Sequence, residues 1–597
     1  MTRAVAAVFA LLVAATFAAF FVTQRLKRTP PAVQRVMVTP FFSPNSDGRF
    51  DAAHLSFRLR RTDDITVRLI DHRDDEVRTL VDGRRLGAYQ QISLKWDGRD
   101  DHGARAPDGR YRIRVTLRRQ GRSILLPRAI RLDTTPPRPE VTSIGPTRTP
   151  VPRPEILPEP GGQPAEIGFR TPSTRQPTAV FIYRTDPSPG LVTQLPVKPG
   201  QTTVAWDGTR SGRRVRPGTY VVALRTRDQA GNVGSSPPVL PPRAPFGTTL
   251  PGRGGITVRY LGVEALLEPT VAGTPVTFGV DARRAPYTWN IRRVGAPSPR
   301  KRGRGTRPLL RLQSPGGVSG LYLLEVRTAT HATQVPVPVQ ALDHHRVLVV
   351  LPAIAWQGTN PADDDGDGWP NTLTGGQPVR RERILANGLP GDLVKRVAPL
   401  LIFLDHHHLR YDLTTDLALA AGDGPQLAGH RGVLLAGDET WLPLRTQVGL
   451  RNFVTGGGRL ASFGIDSLRR QVRLTPNRLR DPTAPTPADV FGAALRPLTR
   501  TRTSLTNLSD HIGLFSGNVF GGTGVFGGVD AFEATGAWPG ARILASAVTP
   551  HGAKVIVAAK VGRGLVIRFG LPDLPSRLSK PGNDSQLVRR TWTLLAR

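Results

Sequence analysis

Cysteine is absent from all 597 residues. That excludes disulfides, cysteine-ligated zinc, iron–sulfur clusters and a thiol nucleophile. It does not argue for the cytoplasm, because an exported chain can also fold without disulfides. Lysine is almost as scarce: eight of the 81 basic residues are lysine and the rest are arginine. Aromatic residues make up 6% and there are two methionines. Acidic residues number 46 against those 81 bases, for a net charge of +35. Arginine in place of lysine, with abundant Ala, Gly and Pro, reads first as the imprint of a GC-rich genome. The second reading is a loose attraction to anionic envelope polymers or lipids. No nucleic-acid reader motif is present, so specific nucleic-acid binding is not expected.

Hydrophobic residues make up 39% of the chain, enough for several cores. Gly (63) and Pro (56) together are about a fifth of it, which suits short strands and turns more than disorder. The length points to about four domains.

Ala4 to Val22 carries no charge, with Arg3 before it and Arg25, Lys27 and Arg28 after it. The run is longer than a signal-peptide core and close to a bilayer span. The expectation is an uncleaved signal-anchor over residues 1–28. It makes the protein a single-pass cell-membrane protein with its body outside, partnered with the cytoplasmic membrane through that helix.

From Val38 the texture is strand-like. Leu55–Leu59, Ile65–Ile70 and Tyr111–Leu117 alternate apolar and polar residues, and turn clusters such as Ser43–Gly48 and Pro107–Gly109 separate them. Trp96-Asp97-Gly98 recurs as Trp206-Asp207-Gly208, and Pro217–Tyr220 mirrors Pro107–Tyr111. Each copy reads as one hairpin with an Asp-Gly turn. These motifs resemble the Ig-like domain of the flagellar hook-capping protein (FlgD-like), whose pattern is similar to Ser43–Gly48, Trp96–Gly103 and Pro107–Tyr111. The second copy lacks the Ser-Pro-Asn opening. The resemblance implies spacer or assembly modules over residues 38–135 and 150–240. A third β-sandwich is expected over 250–342, with Val258–Leu261, Thr274–Val280 and Leu321–Val326 as strands and Ser298–Arg304 as an exposed basic loop.

At Arg346 the pattern changes. Val347–Leu351 and Gly432–Gly437 are continuous apolar runs, as in parallel strands buried on both faces, and Leu393–Leu404 and Leu444–Val454 have helical spacing. The expectation for 345–597 is an α/β doubly wound sheet. This part resembles the class I glutamine amidotransferase-like fold, and more closely the C-terminal domain of the N,N-dimethylformamidase large subunit. The motifs that carry it are Val347–Asn360, Gly437-Asp438-Glu439-Thr440-Trp441, Phe453–Ala461 and Val561–Val566. The resemblance implies either a Cys nucleophile after the Gly-rich strand or an iron held by two Tyr and a Glu. Phe463-Gly464-Ile465 stands where the Cys belongs, and Thr440 where a Tyr belongs. Glu439 matches the Glu.

Several groups could carry chemistry. Asp363, Asp365 and Asp367 follow the D-x-D-x-D-G spacing of calcium loops, with Gly368 for the bend and Asn371 as a further oxygen ligand. An exposed acidic turn is the other reading, so calcium is the one cofactor suggested. Asn45, Asp47 and Asp51 read as turn formers. His406-His407-His408 reads as a solvated helix end, since neighbours on a helix cannot share one metal. The Gly517–Gly528 run lacks the Lys of a phosphate loop. Strand ends in open α/β sheets gather ligands, which makes Glu439 and Asp466 the candidate catalytic carboxylates. Two functions remain open: a membrane-anchored envelope protein displaying a non-catalytic ligand-binding domain, or a metal-dependent hydrolase of C–N bonds.

Overall fold

Alternation along the N-terminal segments becomes one-sided burial in the computed structural model. It describes residues 2–28, 31–145, 155–156, 164–171, 178–243, 255–282, 285–515 and 525–597. In Ala53–Leu59 the side chains of Leu55, Phe57 and Leu59 are buried while His54 faces out. The first unit faces a three-stranded sheet (Val33–Val38, Ala53–Leu59, Gln91–Trp96) with a larger sheet centred on Gly109–Leu117. Its core holds Phe42, Phe57 and Trp96. A second unit repeats the plan around Trp206 and Tyr220. The repeated motif has one physical role in both. The indole N–H donates to the Arg99 carbonyl at 2.8 Å, or to that of Thr209 at 3.0 Å, closing the Asp-Gly turn. The Tyr111 hydroxyl donates to the Pro107 carbonyl, and that of Tyr220 to Arg216. Gly98 has φ +80°, and a Cβ there would sit 2.9 Å from the Pro44 ring. No other residue fits that turn without strain.

The two units are bolted together. Asn232 of the second accepts from Ser43 Oγ at 2.6 Å and donates to the Asp133 carbonyl at 2.7 Å. Gly255–Val258 pairs antiparallel with Gly218–Arg227. The segment expected to open the third sandwich therefore closes an edge of the second. The expected basic loop is also revised: Lys301–Gly305 is an edge strand on Tyr287–Arg293. Part of the Gly517–Gly528 run, residues 517–524, lies outside the described residues.

The C-terminal sheet has nine strands: β1 (Val347–Leu351), β2 (Asp412–Thr415), β3 (Gly432–Leu435), β4 (Arg459–Ser462), β5 (Thr503–Asp510), β6 (Val525–Val529), β7 (Arg542–Val548), β8 (Lys554–Val561) and β9 (Gly564–Phe569). Their order is β2-β1-β3-β4-β9-β8-β7-β5-β6. The first five are parallel and the remainder antiparallel. Helices Leu444–Thr455 and Asn583–Ala596 pack on it. The third unit shares its core, contributing Leu267, Val294, Leu321 and Leu323. Arg293 clamps Asp405 from that unit with two bonds of 2.6 and 2.7 Å.

The fold-class expectation is corrected in two respects. The chain is mostly β, with 42% of residues in strands and 14% in helices, because nearly half of the C-terminal sheet is an antiparallel extension without crossover helices. The membrane-spanning helix is not supported either. Thr2–Arg28 is a helix, but among the described residues no helix is long and apolar enough to cross a membrane. Its uncharged stretch, Ala4–Val22, is 19 residues long, eight of them alanine. The single-pass membrane localisation falls with it.

Breaking a half-buried ion pair leaves its partner uncompensated. Arg293→Ala should therefore lower the stability of the C-terminal unit by about 3 kcal/mol in urea unfolding followed by tryptophan fluorescence. Arg293→Lys should recover only part of this, because an ammonium cannot make the two-pronged contact. Equal stability of wild type and Arg293→Ala would remove the pair from the account.

Candidate functional site

The acidic loop after β1 folds around Asp363. Its Oδ1 accepts from the amides of Asp365 (3.2 Å) and Gly366 (2.6 Å), and its Oδ2 from that of Gly368 (2.9 Å). Asp367 Oδ1 takes the Trp369 amide at 2.7 Å. Asp363, Asp365 and Asp367 each bring one oxygen within 4.8 Å of the others. Burial and the two neighbouring carboxylates push Asp367 up to about 7. Asn371 lies beside them: its oxygen accepts the Asp364 amide, and its nitrogen donates towards Asp365 at 3.4 Å. Sequence reasoning passed over Asp364, whose carboxylate holds the buried Arg383 at 3.1 Å. Arg383 also donates to the carbonyls of Ala362, Asn371 and Asn360, tying the loop to the domain. The turn set behaves as expected: Asp51 accepts from the amides of Ser46 and Gly48, and Asp47 from that of Arg49.

A second acidic group lies at the carboxyl ends of the parallel strands. Glu439, after β3, is fully buried, and neither carboxylate oxygen meets a donor. Asp416, after β2, is equally buried; its Oδ1 accepts the Ile354 amide at 2.9 Å and its Oδ2 has no donor. Burial raises Glu439 well above the usual carboxyl range, and repulsion from Asp416, Asp392 and Asp438 adds to it. Burial raises Asp416 to about 7 against the pull of the Ile354 amide. A proton shared between the two carboxyls would supply the missing donor. Asp392 is likewise raised to about 7, by burial and then by Asp438. Asp438 is raised by burial and held down by Arg396. Asp438 was placed beside Glu439 by the sequence, whereas Asp392 and Asp416 were missed; for Asp416 the signal available was the Thr-Thr-Asp at a strand-to-helix turn, where Thr415 caps the next helix.

Asp466 does not belong to this group. It accepts from Arg469 at 3.0 Å and pairs with Arg470, while its amide donates to Glu533 at 2.9 Å. Ser462 is buried and its hydroxyl has no partner, hence no base to activate it. His407, at the end of the helix Ala398–His406, is lowered chiefly by desolvation and then by Arg589. The iron set implied by the resemblance does not fit. Glu439 is in place, but Thr440 replaces one Tyr. Tyr411 is engaged with Asp405 at 3.0 Å.

A cleft of about 970 Å³ opens instead where the second, third and C-terminal units meet. It is lined by Arg259, Glu264, Arg327, Glu382 and a stacked pair, Tyr260 on His331, with ring centroids 4.3 Å apart.

Comparison with known proteins identifies two regions. The model of the FlgD Ig-like domain family matches residues 46–121. That of the N,N-dimethylformamidase beta subunit-like C-terminal family matches 308–490. The second match begins inside the third β unit, consistent with the core which that unit shares with the sheet. No curated protein matches the chain. Similar solved structures include a β-galactosidase from Bacillus circulans sp. alkalophilus: 13% identity, 42% of this chain, 31% of that one, TM-score 0.25. An exo-β-1,4-mannosidase from Opitutaceae bacterium strain TAV5 has 14% identity over 43% of this chain and 36% of its own, with TM-score 0.25. The chain thus spans about a third of each, and likenesses this slight carry no argument.

The buried carboxyls set a pH dependence. Their folded pKa values lie above the unfolded ones, so the native state holds more protons between about pH 4 and about pH 7. Their contribution to stability is greatest below that window and falls as pH rises through it. Glu439→Gln should flatten this fall, gaining on the order of 1–3 kcal/mol over wild type at about pH 7.5 relative to about pH 4.5. Parallel stability–pH curves from chemical denaturation would refute the assignment.

Proposed function

We propose that the chain is a non-catalytic binding protein, in which FlgD-like Ig modules present a dimethylformamidase-like C-terminal domain and ligand enters the three-way cleft. What carries this reading is the sealed state of Glu439. It is the one residue retained from the implied iron set, yet it is fully buried beside Asp416 and does not line the cleft. Amide cleavage needs an activated nucleophile or a metal-bound water. Ser462 has no base, Asp466 is neutralised by two arginines, and the two tyrosines are missing. The cleft has the features of a recognition surface. A half-buried aromatic stack offers a flat apolar face, and the surrounding arginines and carboxylates offer donors and acceptors. That combination suits a polyhydroxylated ligand such as an oligosaccharide.

Purified full-length protein should not turn over glutamine or N,N-dimethylformamide above the level of Glu439→Gln. A panel of neutral oligosaccharides should give a thermal shift in wild type that is lost in Tyr260→Ala. Amide turnover abolished by Glu439→Gln would overturn the non-catalytic reading. Absence of any shift, or one indifferent to Tyr260, would overturn the assignment of the cleft.

A further inference from the structure

Beyond ligand binding, we propose that the acidic loop holds one hard divalent cation, Ca²⁺ in chemical character, and that this ion locks the C-terminal domain onto the second Ig-like unit. Three carboxylates within 4.8 Å of one another repel strongly unless a cation or a proton lies between them. Asp367 is 7% exposed, and its Oδ2 is buried with no hydrogen-bond partner. Asp365 Oδ1 is in the same condition. Arg383, beside the loop, pairs with Asp364 at 3.1 Å. An all-oxygen, all-carboxylate donor set selects a hard cation over zinc or copper, and carboxylates on an irregular loop meet the less exacting geometry of Ca²⁺ more readily than the octahedron Mg²⁺ demands.

The position of the loop gives the ion its consequence. Gly368, at φ +85°, is pressed against the second unit: a Cβ there would lie 2.6 Å from the Tyr220 carbonyl oxygen and 2.9 Å from the Gly255 Cα. Thr185 of that unit donates to the Gly368 carbonyl at 2.6 Å. The next residue, Trp369, is buried against Tyr183, Val221 and Ala223 on the outer face of the second unit's sheet. The groups that would hold the cation and the groups that make the contact alternate along one short stretch of chain. Ordering Asp365 and Asp367 around an ion therefore fixes Gly368 and Trp369 in their seats. Without it, the repulsion that the ion relieves acts to open the loop and release the tryptophan.

The full chain, stripped with EDTA, is titrated with Ca²⁺ by calorimetry and with Tb³⁺, whose luminescence Trp369 can sensitise. Hydrogen exchange is followed in the loop and in Gly255–Val258. The expected result is one Ca²⁺ per chain, Tb³⁺ emission displaced by Ca²⁺, and slower exchange in both segments on Ca²⁺ addition. Asp367→Asn should weaken Ca²⁺ binding by about tenfold or more and abolish the exchange response. Asp365→Asn, at a less buried carboxylate, gives the same test should the first variant fold poorly. No Ca²⁺ heat and no Tb³⁺ emission in wild type would mean that a shared proton holds the loop, and would overturn the site. Ca²⁺ binding that leaves exchange in Gly255–Val258 unchanged would overturn the clamp.

Discussion

The arrangement of the domains depends on one close approach, the backbone of Gly368 against that of Gly255 with Trp369 seated beside it. Neither position tolerates a side chain, so the two segments meet at a distance only glycine allows. This contact brings together units that are remote in sequence. It sets the second Ig-like unit against the C-terminal domain, and the cleft of about 970 Å³ is lined from both units and from the third. The third unit needs no such clasp. It is continuous with the C-terminal core and is braced by Arg293 on Asp405.

Charge is handled in two contrasting ways inside the C-terminal domain. Arginines with several donors satisfy some buried acids outright, as Arg568 does for Asp489 at 2.5 Å and Glu533 at 3.5 Å. A planar guanidinium suits this role better than lysine, which gives the arginine-rich composition a structural use. At Asp416 and Glu439 no base is supplied. Burial then keeps protons on the carboxyls, at a cost to stability that grows with pH. Both side chains are fully buried.

Much of this was legible in the sequence, and the failures have identifiable causes. The Trp-Asp-Gly and Pro-x-Gly-x-Tyr repeats work because each residue has a local task, an indole closing the turn and a phenol bonding back over four residues. Such motifs survive any packing context. The apolar runs at Val347 and Gly432 announced strands buried on both faces. Val258 misled because strand propensity does not say which sheet a strand joins. The antiparallel extension was invisible for a related reason: crossover helices are written in the sequence, but their absence is not. The apolar N-terminal run was read as a span from its length and lack of charge together; eight of its 19 residues are alanine. Among site residues, Asp363, Asp365 and Asp367 were found by spacing, whereas Asp416 meets Glu439 only through the pairing of β2 with β1 and of β1 with β3. Trp369 carried no sign that it would dock on another domain.

With Trp369 seated, the second Ig-like unit and the C-terminal domain should move as one rigid body. Because the chain has no cysteine, spin labels can be placed without background. The exposed positions Gln194 and Arg451 lie on the two bodies. Pulsed electron–electron resonance on a Gln194→Cys, Arg451→Cys variant measures their separation directly. The account predicts a single narrow distance distribution that broadens when Trp369→Ala is added. A broad distribution from the outset, unchanged by that substitution, would contradict it.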